Sequence, residues 1–116
     1  MAQMLRGDVF MANLEPHEGS EQGGTRPVVI VSRDALNIVS PVVVVCSITE
    51  AANKKKIYPS HVRVQAGTGG LTLHSIIVCE QVRAISKTRL RQQRGKFDRT
   101  IMTSIEAALK ITLDLP

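Results

Sequence analysis

Arg26 and Thr49 are the two residues whose types and positions offer chemistry in this chain. Arg26 follows a flexible Gly23-Gly24-Thr25 segment and precedes Pro27, which biases the arginine's own backbone toward extended conformations. It therefore stands at the first turn of an apolar strand, "RPVVIVS", with its side chain near the preceding loop. Thr49 ends the next apolar run, "PVVVVCSIT". Strands joined as a hairpin run antiparallel, so the start of one neighbours the end of the other, and a guanidinium and a hydroxyl can meet at one rim of the sheet. A permanently charged, forked donor beside a neutral hydroxyl suits a phosphate better than a carbonyl. The alternative is an arginine ion-paired to Glu21 or Glu50 as a structural brace.

Other chemistries find less support. There is no serine-hydrolase elbow, and "GTGG" precedes a strand without a P-loop lysine. His17, His61 and His74 are each a possible general acid or base or a structural residue, and the spacing of Glu18, Glu21, Glu50 and Glu80 does not pair any two of them. Two isolated cysteines and three scattered histidines make no metal-ligand pattern, so neither metal nor cofactor is expected. Cys46 and Cys79 sit inside β-branched apolar runs and read as buried thiols in a reducing compartment, with a disulfide or redox pair as the alternative.

The elements that must position Arg26 and Thr49 are mainly strands. "GDVFMANL" can set Val9 and Met11 on one face and Phe10, Ala12 and Leu14 on the other. "RPVVIVS", "PVVVVCSIT", "HVRVQ" (Val62 and Val64 inward) and "SIIVCEQVRAI", which turns polar at Glu80, Gln81 and Arg83, complete five strands. The C-terminal third changes period. "KTRLRQQ" predicts a short helix closed by Gly95, and "DRTIMTSIEAALKITLDL" a longer one with Asp98 as N-cap. Its apolar stripe runs through Ile101, Ile105, Ala108, Leu109 and Thr112 or Leu113. Five strands with appended helices fit one small, strongly bent barrel over residues 1–116. Two loops stand out: 15–25, long for a hairpin and rich in polar groups, and 50–60, which carries Lys54, Lys55 and Lys56.

Seven of the seventeen residues from Arg83 to Arg99 are basic, within a net charge of +5. Such a field favours polyanions or acidic proteins. Phe10, Tyr58 and Phe97 are the whole aromatic set, so no stacking platform for single strands is evident. No apolar run approaches the roughly 20 residues that span a bilayer. "MAQMLRGDVF" lacks a signal-peptide pattern, so a cytoplasmic protein is expected.

The segment "RGDVFMANLEPHEGSEQGGTRPVVIVS" resembles the opening of the MazF/PemK family of toxin endoribonucleases. The family's hallmark is a G-[D/E]-[V/I]-aromatic strand, here Gly7, Asp8, Val9 and Phe10, followed by G-x-E-Q-x-x-x-R-P, here Gly19, Glu21, Gln22, Arg26 and Pro27. The likeness continues through "VVCSIT", "YPSHV", "CEQVRAIS" and "IEAALKITLDL". It implies a homodimeric, mainly β, SH3-like barrel of the MazF/CcdB type with a C-terminal helix. It also implies the toxin half of a type II toxin–antitoxin pair, cleaving single-stranded RNA at short sequences without a metal. The family's catalytic arginine and threonine fall on Arg26 and Thr49, and its RNA-groove positions on Gln81, Ser20, Glu21 and Gln22. Arg26 would stabilise the phosphorane and Thr49 would bind the same phosphate, while Tyr58 and Pro59 would offer a base a stacking face or pack at a strand start. The basic segment from Lys87 to Arg99 is equally consistent with a polyanion and with docking a cognate acidic antitoxin, a merely solvated basic face being the alternative.

The chain departs from relatives at Ser20 and Val78, where one branch carries histidine and arginine, so acid–base schemes built on those groups do not transfer. At His74, where relatives commonly have an acidic residue or threonine, the electrostatics differ. Two rival readings are a gyrase poison related to CcdB and a non-catalytic nucleic-acid-binding barrel. Absence of any tryptophan argues against the first, and retention of both Arg26 and Thr49 against the second.

Overall fold

The computed structural model describes residues 3–116; the one-domain expectation and the reading of the N-terminal segment also take in residues 1 and 2, which lie outside the described residues. Six strands, β1 (Asp8–Asn13), β2 (Thr25–Ile30), β3 (Val42–Glu50), β4 (His61–Val64), β5 (Ser75–Ser86) and β6 (Leu90–Lys96), form one sheet in the order β4-β5-β3-β2-β1-β6. All of its pairings are antiparallel. Two α-helices accompany it, α1 (Asp34–Val39) and α2 (Arg99–Leu113). No helix among the described residues is long and apolar enough to cross a membrane.

Alternation within the strands builds two cores, one on each face of the curved sheet. Val9, Val29, Ile48, Ile77 and Phe97 share the first with Ile105 of α2, while Phe10, Ala12, Leu14, Val28 and Ile30 share the second with Leu90. The two-faced reading of residues 9–14 therefore holds, as does the inward placement of Val62 and Val64. Asp98 caps α2 as expected, its carboxylate accepting from the Ile101 N–H at 3.0 Å. The buried stripe is turned slightly from the expected one. Met102, Ile105 and Ala108 are buried, Ile101 and Leu109 are half-buried, and Leu113 faces solvent. Complete burial of an isoleucine such as Ile105 contributes about 1.5–3 kcal/mol.

The segment "KTRLRQQ" is not the helix its residues favour. Lys87–Arg89 is a single 3₁₀ turn and Leu90–Lys96 is the sixth strand, paired to β1 from Ala12↔Leu90 to Asp8↔Lys96. The residues favour helix locally, but β1 offers an unpaired edge and Leu90 a place in the second core. The short helix α1 also has no counterpart in the sequence expectation. It is held by Asn37, buried, whose amide donates to the Ser32 carbonyl at 2.8 Å.

Two irregularities shape the rim around Arg26. Pairing of β2 with β3 runs from Ile30↔Val45 to Val28↔Ser47 and stops at Pro27, which has no N–H to continue a ladder. In β5, the four residues Cys79, Glu80, Gln81 and Val82 lie between the pairs Ser47↔Val78 and Val45↔Arg83, against Cys46 alone. Such a bulge re-aims side chains.

The turn 65–74 between β4 and β5 closes the barrel against β6. Gly70, at φ +78°, and Gly69 lie so close to Arg94 and Gly95 that a Cβ on Gly70 would stand 1.9 Å from the Arg94 carbonyl oxygen.

Candidate active site

Extending the β2–β3 register two residues beyond Val28↔Ser47 sets Arg26 opposite Thr49, and their side chains meet there. Arg26 Nη1 donates to Thr49 Oγ1 at 3.3 Å, and Arg26 Nε donates to the Gly23 carbonyl at 2.6 Å. Asn53 Nδ2, on the turn after β3, lies 3.5 Å from the same threonine oxygen. Among the described residues Arg26 has no carboxylate within ion-pair distance, so neither Glu21 nor Glu50 braces it. Its guanidinium sits on the wall of a cleft of about 470 Å³ with Glu50, Asn53, Leu71, Ser75 and Arg94. Thr49, only 4% exposed, lies behind Arg26 and not on that wall.

Loop 15–25 is built to present Gly23 and Arg26. Its feet are tied by the Leu14 N–H to the Gly24 carbonyl and by the Gly24 N–H to Glu15 Oε2, at 2.9 and 2.5 Å. The bonds from His17 and Gly24 hold the Glu15 carboxyl below the usual glutamate range. Arg89 clamps the same foot, donating to the carbonyls of Asn13 and Glu15. Glu21 serves the loop itself, its Oε1 accepting from the Glu18 N–H at 2.7 Å.

None of the other expected groove residues, Ser20, Glu21, Gln22, Tyr58, Pro59 and Gln81, lines this cleft; Gln81 at the β5 bulge bonds to Ser20 and Gln22 of the first loop. Gln81 Oε1 accepts from the Gln22 N–H at 3.3 Å, and its Nε2 donates to the Ser20 carbonyl at 3.2 Å, so Gln81 fastens the first loop. Its neighbour Glu80 fastens the second, accepting from Ser60 Oγ at 2.7 Å and pairing with His61 Nε2 at 2.9 Å. His61 is buried and packs edge-on against Tyr58, which is 53% exposed next to the exposed Pro59. One bulge thus anchors both walls of the groove.

Burial raises the Glu80 carboxyl, but the Ser60 hydroxyl and the His61 imidazole outweigh it and leave it below the ordinary value of 4.5. A lowered folded-state pKa stabilises fully above the unfolded value and is lost as pH falls through the folded one. The melting temperature of Glu80→Gln is therefore expected to fall less than that of wild type on acidification below about pH 4.5. At neutral pH the variant should be less stable by about 0.2–1 kcal/mol, the range for an exposed pair. Parallel acid titrations of the two proteins would refute this brace.

The cysteines are both free and buried, and the Cys46 thiol is pushed well above the usual range, first by its hydrogen bond with Cys79 and then by burial. Among the described residues no three His, Cys, Asp or Glu side chains gather as a metal site would need. Two cleft residues escaped the sequence expectation. Asn53 carries no signal beyond lying in a long loop, and Arg94 was hidden by the helical reading of its segment.

The fold and the cleft define the class first: a small, helix-capped antiparallel barrel with an unpaired guanidinium anchored to a threonine at its rim. Residues 5–113 match the family described as PemK-like, MazF-like toxin of type II toxin-antitoxin system, and the chain belongs to that family. The endoribonuclease MazF of Staphylococcus epidermidis is 44% identical over 95% of this chain and 91% of its own. That of Staphylococcus saprophyticus is 43% identical over 97% and 92%. Among solved structures, a mycobacterial endoribonuclease in complex with its cognate antitoxin superimposes with a TM-score of 0.79 at 26% identity, covering 97% of this chain and 96% of that one. MazF from Deinococcus radiodurans, 23% identical, shows the same fold at a TM-score of 0.83 over 98% and 99% of the two chains.

Proposed function

We propose that this chain is the endoribonuclease toxin of a type II toxin–antitoxin pair, cutting single-stranded RNA at short sequences. In the reaction the ribose 2′-oxygen bonds to the adjacent phosphorus and the bond from phosphorus to the 5′-oxygen breaks. The products are a 2′,3′-cyclic phosphate and a 5′-hydroxyl. The observation that carries the reading is the Arg26 guanidinium, fixed on a cleft wall by two neutral acceptors and left without a carboxylate. Of its five N–H groups two are engaged, which leaves donors for phosphorane oxygens. Thr49 is a positioning residue: its oxygen, accepting from Arg26 and within 3.5 Å of Asn53 Nδ2, seats the guanidinium before substrate arrives.

Glu50 is the carboxylate on the cleft wall and takes the proton of the 2′-hydroxyl, which returns to the leaving 5′-oxygen. Glu21 and the histidines are committed elsewhere, His17 to Glu15, His61 to Glu80, and His74 Nδ1 to the Ala66 N–H. The bases flanking the cut would be read by the loops that Gln81 and Glu80 anchor, with Tyr58 and Pro59 as an exposed stacking face.

We place the protein in the cytoplasm, as a homodimer held by an acidic antitoxin. Support for the dimer comes from Ile38 and Val39 of α1, 64% and 80% exposed, the kind of apolar surface a second copy covers. The test is incubation of the purified protein with a long single-stranded RNA in excess chelator, mapping cut ends by sequencing. Recurrent cuts at one short sequence, with 5′-hydroxyl ends, are expected from wild type. Glu50→Gln should cut about 10²-fold more slowly. RNA binding without cleavage would overturn the reading in favour of a non-catalytic barrel.

A further inference from the structure

We propose that Arg94 binds a second backbone phosphate of the RNA, next to the one held by Arg26. The inference rests on the RNA-cleaving reading above. Arg94 lies on β6 and lines the same cleft as Arg26. Its Nη2 donates to the Gly70 carbonyl at 2.9 Å and its Nη1 contacts Met11 Sδ at 3.3 Å, both neutral partners. Among the described residues no carboxylate lies within ion-pair distance of it. Two of five N–H groups are thus spent on placing the guanidinium, and its charge has no counter-ion.

Its neighbours in the basic segment are used differently. Lys87 donates to the Asn37 carbonyl, Arg89 to those of Asn13 and Glu15, and Arg91 to that of Thr88. Those three brace the fold, whereas Arg94 is the basic side chain of the segment that lines the cleft with Arg26. A polynucleotide held at Arg26 carries another phosphate one nucleotide away on either side. A second unpaired guanidinium in the same cleft meets one of them, and its forked donors match phosphate oxygens.

The experiment uses the full chain and an oligoribonucleotide spanning a mapped cut site. Arg94→Met, which keeps the length of the stem, is expected to raise KM about tenfold, with a smaller change in kcat. It should also reduce the slope of log KM against log salt concentration by about 0.7, the value for one contact to a single strand. Arg94→Lys should restore the salt slope. Loss of the bond to Gly70 alone would lower the melting temperature, recorded in parallel, without moving that slope. Unchanged KM and salt slope in an Arg94→Met protein that still cleaves would overturn the proposal. So would unchanged RNA parameters combined with weakened binding of a poly-glutamate peptide, which would assign the charge to an acidic protein. If wild type cuts no RNA, the parent reading fails and this inference falls with it.

Discussion

Arg26→Ala is expected to lower kcat for RNA cleavage by about 10²–10³-fold or more, the effect of removing a preorganised donor to an oxyanion. Its melting temperature should stay close to that of wild type. The reason for both lies in the same geometry. The side chain is half-buried, has no ion-pair partner among the described residues, and spends its two bonds on the Gly23 carbonyl and the Thr49 hydroxyl. Removing it leaves those two acceptors short of a donor but opens no core. Arg26→Lys keeps the charge yet cannot reproduce both bonds from one fork, so it should recover little of the lost rate. Thr49→Val keeps the shape of the threonine and removes the seat of Nη1, and should cost about tenfold in kcat. Single-turnover cleavage measured with melting curves on all three variants decides the matter. Cleavage by Arg26→Ala within tenfold of wild type would sink the assignment.

The second large effect is on stability. Gly70→Ala is expected to destabilise the protein by more than about 4 kcal/mol, beyond the usual range for point substitutions. At φ +78° an alanine is strained already, and its Cβ would stand 1.9 Å from the Arg94 carbonyl oxygen, which is backbone and cannot swing aside. The turn has to lift from β6, drawing Leu71, 4% exposed, out of the first core. Gly67→Ala is the control. Its φ is +91° but nothing lies within 4 Å of the added carbon, so only the backbone cost of about 1–2 kcal/mol applies. Urea denaturation of the two variants should separate them clearly, and similar midpoints would show that the turn is not locked to β6.

The parts of this fold legible in the sequence are those that neighbouring residues decide. Alternation in residues 9–14, the β-branched runs of β2 and β3, and Asp98 at the head of α2 all act over a few residues. Their antiparallel register was enough to bring Arg26 to Thr49. Strand β6 was not legible, because its pairing is with β1 at the far end of the chain and its own residues favour helix. Losing β6 hid Arg94 from the cleft. The bulge in β5 was equally invisible, since the four residues opposite Cys46 read as an ordinary strand sequence, while their slip leaves Glu80 and Gln81 bonded to the loops on either side. Helix α1, six residues between two strands, depends on the buried Asn37 bonds to Ser32, a contact that periodicity does not show.

The pairing of Asp8 with Lys96 also orders the events of folding. Strands β1, β2 and β3 are successive neighbours joined through residues 14–24 and 31–41, so Arg26 and Thr49 come from nearby stretches of the chain. Strand β6 has to return to β1 across nearly the whole chain, a closure with a larger entropy cost and little local help. The cleft therefore acquires its Arg94 wall last. Arg94 reaches the cleft only through β6, so the pairing that brings residues 90–96 onto β1 also completes the cleft wall.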